Sequence, residues 1–533
     1  MADADVMDGR VALNAAEAAE AEVAAGNEDV IVTKSYFIRN APFGGTYCIL
    51  AGLTKALRDL MDLPLDDPEY YEAMKLAGYG KPLRRYLRKH GRLRVQVYAP
   101  PEGTAFFPKE PIVTLRGPVP DLRLLEGIFI QDLNFDSLNV TDWHRAVMAA
   151  APQSLNDQSW RRSQAPLRTS LNALLAGCIA SSNEELRRHF QFDPMGTQGH
   201  EWPMSCGLVF DGHHKWITHK PHRVFNLVDT DQVLKVDYPA FLDAVYQNRE
   251  HIMNRLRDQK DVWAWGPRND SGDLAFYILE EWKLFLQHPL SKEEWFYEHL
   301  VFPLANNLDE YKILEIKQQI RDGAARMGLD GEEIVRRIRW GIGTNKGVSQ
   351  NQPALDGVMK LGMYGGYATV KLALGTDGAA GPKTSIPGFL RSARLYDPDT
   401  GDLLNLLIYR ADVHEVREDG LLYLISTGEA LTSLRACHPD NEQAYMDLRH
   451  YRAVPQQALI YDSLNGDGLT DAWDNPTIDS VSERIRLEVS GLPWWTTRFA
   501  SPTPIKVSLT AELFDLRKRM IAQGVLREDL LVA

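Results

Sequence analysis

A histidine at position 200 follows Gly196-Thr197-Gln198-Gly199 and precedes Glu201-Trp202. The glycines leave the backbone open, and Glu201 is a candidate to orient the ring. Such a placement suits attack on phosphate, because a neutral imidazole is a competent nucleophile near pH 7. Further polar groups follow short apolar runs. Asp229 comes after Phe225-Asn226-Leu227-Val228, and Asp270 lies in Arg268-Asn269-Asp270-Ser271-Gly272-Asp273 after the run Val262 to Trp265. Asn307-Leu308-Asp309-Glu310 follows Leu300 to Leu304, and Gly341-Ile342-Gly343-Thr344 closes the run from Ile338. Asp229 and Asp270 are candidates to hold Mg²⁺ or sugar hydroxyls. The glycine turn lets backbone N–H groups approach phosphate oxygens. Arg161 and Arg162 form a cationic pair able to grip a carboxylate or a phosphate.

Each element has a plainer reading. Gly-x-Gly-Thr alone is an ordinary turn, an Asp after a strand is often a helix cap, and an Arg pair is often a solvated face. The joint order of these pieces favours chemistry. Polar groups that follow successive strands collect at one rim of a parallel α/β barrel, where such folds place their active sites.

The elements that must carry these groups can be read along the chain. Residues 12–25 are an Ala/Glu helix with little apolar surface, expected as an exposed arm. Val30 to Thr33, Leu93 to Val97 and Ile112 to Leu115 read as strands, and Asp121 to Asn134 as an amphipathic helix. After Asn156 short apolar runs alternate with helical stretches, an α/β pattern. Strands dominate again beyond about residue 390, and a last helix is expected over 508–522. The expected division is an arm at 1–29, an α+β part at 30–150, a barrel at 151–390, and a closing part at 391–533.

Composition sets limits on function. The chain has 533 residues, too many for one ordinary core. Its 44% hydrophobic and 25% charged residues fit a globular protein. The net charge of −13 argues against broad nucleic-acid binding. No stretch reaches the roughly 18 apolar residues of a membrane helix, and the N-terminus lacks the basic-then-apolar pattern of a secretion signal. Cys48, Cys178, Cys206 and Cys437 show no metal-type spacing and read as free thiols. A cytoplasmic location without membrane attachment is expected.

The ordered motifs together resemble the nicotinate phosphoribosyltransferase family, relatives of nicotinamide phosphoribosyltransferase. The resemblance runs from about Ser35 to about Leu509. It is carried by Arg39 to Gly45, Arg161-Arg162-Ser163-Gln164, Ser181-Ser182-Asn183 and Gly196 to Trp202. Leu227 to Thr230, Asp270 to Asp273, Leu308-Asp309-Glu310, Gly341 to Thr344, and Lys383 with Pro387-Gly388 continue it. It implies an irregular, incomplete TIM-like α/β barrel plus an α+β domain built from both chain ends, the type II phosphoribosyltransferase-like fold.

The implied reaction joins nicotinate to 5-phosphoribosyl 1-pyrophosphate and releases pyrophosphate, a step of NAD biosynthesis. The resemblance also implies Mg²⁺, ATP as co-substrate through a phosphorylated His200, and a homodimer. By the same resemblance Asp229 and Asp270 lie near ribose, metal or base, and Arg161 meets base or pyrophosphate with Arg162 and Arg268 nearby. Ser182, Asn183 and Thr197 join the substrate site. Gly341, Gly343 and Thr344 cradle the 5-phosphate, and Lys383 holds pyrophosphate or ATP phosphates.

Departures cluster on the base side. The family holds the pyridine between a Tyr near the N-terminus and a Phe in Phe-Gly-x-Arg. This chain has no Tyr before Tyr36 and reads Gln158-Ser159-Trp160-Arg161 at the second place. Losing a stacking face removes on the order of 1 kcal/mol per ring. Gln158 could bond a more polar acceptor, and Trp160 could replace one face. Three readings therefore stand: an ATP-stimulated nicotinate enzyme, a transferase for nicotinamide or another base, and a non-catalytic nucleotide binder. Three further features have expected explanations. His213, His214, His219 and His222 read as an exposed ribbon after a hairpin turn at Asp211-Gly212, with Zn²⁺ binding as the alternative. Ser463 to Asp474 reads as a surface turn rather than a calcium loop, and Pro493-Trp494-Trp495 as packing between domains.

Overall fold

The computed structural model describes residues 13–65, 67–192, 194–258, 264–347, 352, 354–373, 381, 383–441 and 443–529. The chain divides into two compact units, Met1–Leu138 with Ala354–Ala533, and Asn139–Pro353.

In the first unit both chain ends contribute to one eight-stranded sheet. The β-branched and aromatic strand Ile31–Ile38 lies inside it, antiparallel to Val113–Pro118 and to Gly357–Tyr364, with Tyr36 opposite Val113 and Met359. Gln96–Ala99 and Ala458–Asp462 extend one side, and Tyr367–Thr369 and Arg527–Asp529 the other. A mixed six-stranded sheet from residues 390–510 forms a second layer of strands in this unit.

The helix Leu13–Ala24 forms as expected but is not a free arm. Ala16 and Ala19 are buried, and Glu20 accepts the Gly80 amide at 2.7 Å while Glu22 pairs with Arg123 at 2.6 Å. Small alanines permit close approach where no large apolar face exists.

Several boundaries differ from the periodicity. The expected strand at Leu93 to Val97 is Gln96–Ala99, and the helix at Asp121 to Asn134 runs Val119–Ala150. The last helix is Ala511–Gln523, because Val507–Thr510 is a strand whose final Thr510 caps it. Trp494 and Trp495 are exposed rather than packed away. The Ser463 segment is a hairpin turn, with Asp462 accepting the Leu464 and Asn465 amides at 3.0 and 2.8 Å. Val262 and Trp263 lie outside the described residues.

The second unit is a parallel barrel assembled from short strands. Phe302–Leu304, Ile338–Ile342, Leu155–Asp157 and Ala180–Ser181 lie side by side in that order, all parallel. Phe225–Leu227 pairs in parallel with Gly266–Arg268, and bridges Trp265–Leu300 and Asn269–Leu304 join the two sets. Gly266 is required at that junction, where a Cβ would collide with the Val301 carbonyl. Helices including Pro166–Leu175, Leu274–Gln287 and Glu310–Met327 alternate with the strands.

One gap remains, between Ala180–Ser181 and Phe225–Leu227. It is spanned by backbone that is not a regular strand. The Met195 amide donates to Ser181 O at 2.8 Å, and the Gln198 amide to Phe225 O at 3.4 Å. The glycine-bracketed segment thus closes the barrel wall. The histidine-rich stretch after it is the helix Val209–His219, not a ribbon. Gly212 sits in that helix's first turn because it packs on Pro203, where a Cβ would come within 3.1 Å of its Cα.

Glu110, in the first unit, is fully buried, and burial raises its pKa to about 7 despite Arg394 and the bonds from Ser392 Oγ and the Phe107 amide. A carboxyl with a raised folded pKa gives stability that is full below its ordinary value and is lost as pH climbs through the folded one. We expect about 3 kcal/mol to be lost from this group between pH 4.5 and 7. Urea midpoints measured across that interval should slope less in Glu110→Gln than in the unaltered protein.

Candidate active site

A cavity of about 270 Å³ opens at the C-terminal ends of the barrel strands and runs down between them. Its rim includes Gln158, Arg161, Ser182, Thr197, His200, Arg268, Asp270 and Gly341. Strand alternation accounts for much of this lining. Residues two apart point to one face, so Asn156 with Gln158 and Arg339 with Gly341 look inward, while Leu155 and Ile338 are buried.

Asp229 organises one side of the rim. Its side chain is 1% exposed. Oδ1 lies 3.0 Å from His200 Nε2, and Oδ2 accepts the Asp270 amide at 2.9 Å and the Ser271 hydroxyl at 2.8 Å. A carboxylate only accepts, so Nε2 carries the proton and Nδ1 of the neutral ring holds the free lone pair. His200 is 42% exposed and reachable. Glu201 instead points to solvent in the first turn of the helix Glu201–Cys206, and it makes no bond to the ring among the described residues.

Behind this pair lies a second, sealed one. His213 and Asp237 are both fully buried and meet at 2.7 Å. The Asn226 amide donates to His213 Nδ1 at 3.1 Å, which leaves Nε2–H for Asp237. The other oxygen of Asp237 accepts the Thr230 and Asp231 amides at 2.9 and 3.1 Å. His213 therefore works through Asp237 to hold the turn that begins at Asp229. Both of its ring nitrogens are engaged and it is not a surface residue; no group of three or more His, Cys, Asp or Glu side chains is placed to hold a metal among the described residues.

Arg268 ties the opposite wall together. One terminal nitrogen donates to Thr197 Oγ1 at 2.5 Å and the other pairs with Asp270 at 3.1 Å and Gln158 Oε1 at 3.3 Å. Gln158 lies over Gly341, where a Cβ would overlap its amide nitrogen. Buried Asn156 Oδ1, Gln198 Nε2 and Arg268 Nε have no protein partner among the described residues. Buried polar atoms of this kind are met by water or by a ligand.

The remaining candidates lie elsewhere. Arg161 is exposed at the rim; Arg162 is exposed and outside the cavity lining. Asn183 is buried, its amide spent on Pro166 O and Ser170 Oγ. Gly343 and Thr344 sit just past the strand, where Thr344 starts the short helix Thr344–Gly347. That helix is anchored by Lys346, which pairs with Glu310 at 2.6 Å and with Asp142. Burial lowers the Lys346 pKa, but the two carboxylates outweigh it and hold the ammonium above its ordinary value. Lys383 is exposed and belongs to the first unit. Asp273 and Asp309 are helix caps, accepting the Phe276 and Lys312 amides.

As a magnesium site the two aspartates differ. Both oxygens of Asp229 are engaged, whereas Asp270 keeps Oδ1 without a partner among the described residues. Mg²⁺ commonly uses one or two carboxylates plus phosphate oxygens, so Asp270 fits an ion that arrives with a phosphate ligand. Motif reading passed over Asn156, Gln198 and Arg339. Their signal was a polar residue at alternate positions of a short strand, or beside the motif glycines.

The fold defines a class. The chain superimposes on the crystal structure of human nicotinic acid phosphoribosyltransferase with a TM-score of 0.72 at 22% identity, covering 96% of this chain and 99% of that one. It has the type II phosphoribosyltransferase-like fold, a parallel α/β barrel plus an α+β unit. Residues 17–134 match the nicotinate phosphoribosyltransferase (NAPRTase) N-terminal domain. The nicotinate phosphoribosyltransferase of Dictyostelium discoideum is 24% identical over 513 residues, covering 90% of this chain and 82% of the relative. Nicotinate phosphoribosyltransferase 2 of Arabidopsis thaliana is 27% identical over 538 residues, covering 90% and 88%. Over most of its length the chain is similar to nicotinate phosphoribosyltransferases.

The two histidines should respond differently to removal. His213→Ala strands a buried carboxylate and should cost about 1–3 kcal/mol or more in urea unfolding. His200→Ala, at an exposed ring, should stay within about 0.5 kcal/mol.

Proposed function

We propose that the chain transfers a 5-phosphoribosyl group from 5-phosphoribosyl 1-pyrophosphate to nicotinate, giving nicotinate mononucleotide and pyrophosphate. The observation that carries this reading is the convergence of Arg268, Asp270, His200 and the Gly341 turn on one cavity at the strand ends. The relatives named for this reaction span 90% of the chain, which supports it.

In this reading the ribosyl carbon becomes cation-like as pyrophosphate leaves, and the protein acts mainly by holding charge in place. Arg268 is fixed by Thr197, Gln158 and Asp270, so it meets leaving-group charge without reorganising. Arg161 adds an exposed cation at the rim. The amides after Gly341, through Gly343 and Thr344, receive the 5-phosphate. Mg²⁺ held at Asp270 would neutralise pyrophosphate oxygens. His200 Nδ1 attacks the γ-phosphorus of ATP, the N–P bond forming as the P–O bond to ADP breaks and ADP leaves, while Asp229 holds Nε2–H and steadies the charged ring. The active form is a homodimer.

The test is pyrophosphate release with Mg²⁺ across a panel of bases, with and without ATP. Release that depends on nicotinate and rises with ATP is expected. No release with any base would overturn the reading. His200→Ala should keep basal transfer and lose the ATP stimulation.

A second reading rests on Gln158. An amide faces the cavity where the family has a flat ring, which favours an acceptor with hydrogen-bonding groups of its own, nicotinamide among them. Under the nicotinate reading, Gln158→Phe should lower KM for nicotinate. Loss of nicotinate use together with nicotinamide use would favour the polar acceptor.

A further inference from the structure

Three guanidinium groups line the cavity: Arg161, Arg268 and Arg339. Their circumstances differ. Arg161 is exposed at the rim. Arg268 is paired with Asp270. Arg339 is half-buried and has no carboxylate partner among the described residues; its bonds go only to the Arg336 and Ile338 carbonyls, at 3.1 and 2.8 Å. A partly desolvated charge without a counter-charge is costly and seldom kept without use.

Its place in the barrel gives the use. Arg339 precedes Gly341 by two residues on the same strand face, about 6–7 Å deeper. It stands opposite Pro303 in the register, and Phe225 and Leu227 line the same cavity. The cavity thus has a polar, phosphate-facing mouth, apolar walls, and one unpaired cation toward its inner end. That arrangement fits a flat heteroaromatic acid whose ring nitrogen faces the mouth and whose carboxylate faces inward. A neutral amide would leave the cation unanswered.

We propose that Arg339 reads the carboxylate of the acceptor and makes the cavity select acids over amides. This rests on the acceptor reading given above and specifies it. Arg339 touches the substrate but takes no part in bond making, so it sets binding and selectivity rather than the rate of the chemical step.

The test separates binding from turnover. Nicotinate, nicotinamide and benzoate are titrated into the full-length protein without phosphoribosyl donor, by calorimetry, for the unaltered chain, Arg339→Met and Arg339→Lys. Thermal melts confirm that each variant is folded. The unaltered protein should prefer nicotinate to nicotinamide. Arg339→Met should weaken nicotinate and benzoate by about 10- to 100-fold, the size of a lost charge-assisted hydrogen bond, and leave nicotinamide unchanged. Arg339→Lys should restore part of the loss, and KM for the phosphoribosyl donor should not move. Equal weakening of acid and amide, or an unchanged ratio, would overturn the proposal and leave Arg339 a structural residue. If Arg339→Met folds poorly, Arg339→Lys carries the test, since a shortened cation should change the acid-to-amide ratio and a structural residue should not. Arg339-dependent acid binding in a protein that releases no pyrophosphate would uphold the subsite and overturn the transfer reaction.

Discussion

The rim of the cavity depends on two backbone hydrogen bonds that close the barrel wall. Met195 and Gln198 donate their amides to Ser181 and Phe225, across a gap that no regular strand fills among the described residues. A parallel sheet left open there would expose unpaired edges. The closing segment also delivers its contents. Thr197 is placed against Arg268, the Gln198 side chain accepts the Leu227 amide at 3.2 Å, and His200 emerges at the start of the next helix. Gly196 and Gly199 have open space where a Cβ would stand, so their role is not steric relief from a neighbour. One segment is therefore both barrel wall and cavity rim.

From that wall the site builds inward through carboxylates with distinct tasks. Asp229 is nearly inaccessible and spends both oxygens on protein partners, whereas Asp270 is half-open beside Arg268. Asp237 is a third, wholly internal, and reaches the rim only through backbone amides. On the far side, Lys346, Glu310, Asp142 and Arg145 form a buried charge cluster that pins the short helix after the glycine turn. Buried ion pairs add little net stability, but they penalise displacement strongly. Position, more than stability, is what this cluster supplies.

The sequence made the rim legible and left its supports hidden. Asp229 and Asp270 could be placed at strand ends because the apolar runs before them are short and bounded. The same reasoning did not separate them from Asp273 and Asp309, which are helix caps. Capping and catalysis use the same residue after the same kind of strand, and only the partner three residues on or far away in the chain distinguishes them. Glu201 was the natural neighbour for His200 by adjacency, yet helical geometry turns it to solvent. The histidine cluster reads as polar surface because helical periodicity is weak when histidine occupies both faces; burial of His213 becomes evident only with Asn226 and Asp237 beside it. Arg339 was hidden by a strand whose other residues are apolar, so the eye takes the whole run for core.

The two imidazole–carboxylate pairs have a consequence for proton traffic. One is sealed: His213 receives a bond at Nδ1 and gives one at Nε2, so neither nitrogen is left to exchange a proton with solvent without breaking the network. The other is held on one side only: Asp229 takes Nε2, and Nδ1 has no partner among the described residues. Water that reaches the rim thus meets a single exchangeable imidazole position. The polar interior behind it is a fixed set of hydrogen-bonded dipoles, and the His200–Asp229 pair meets solvent only from the cavity side.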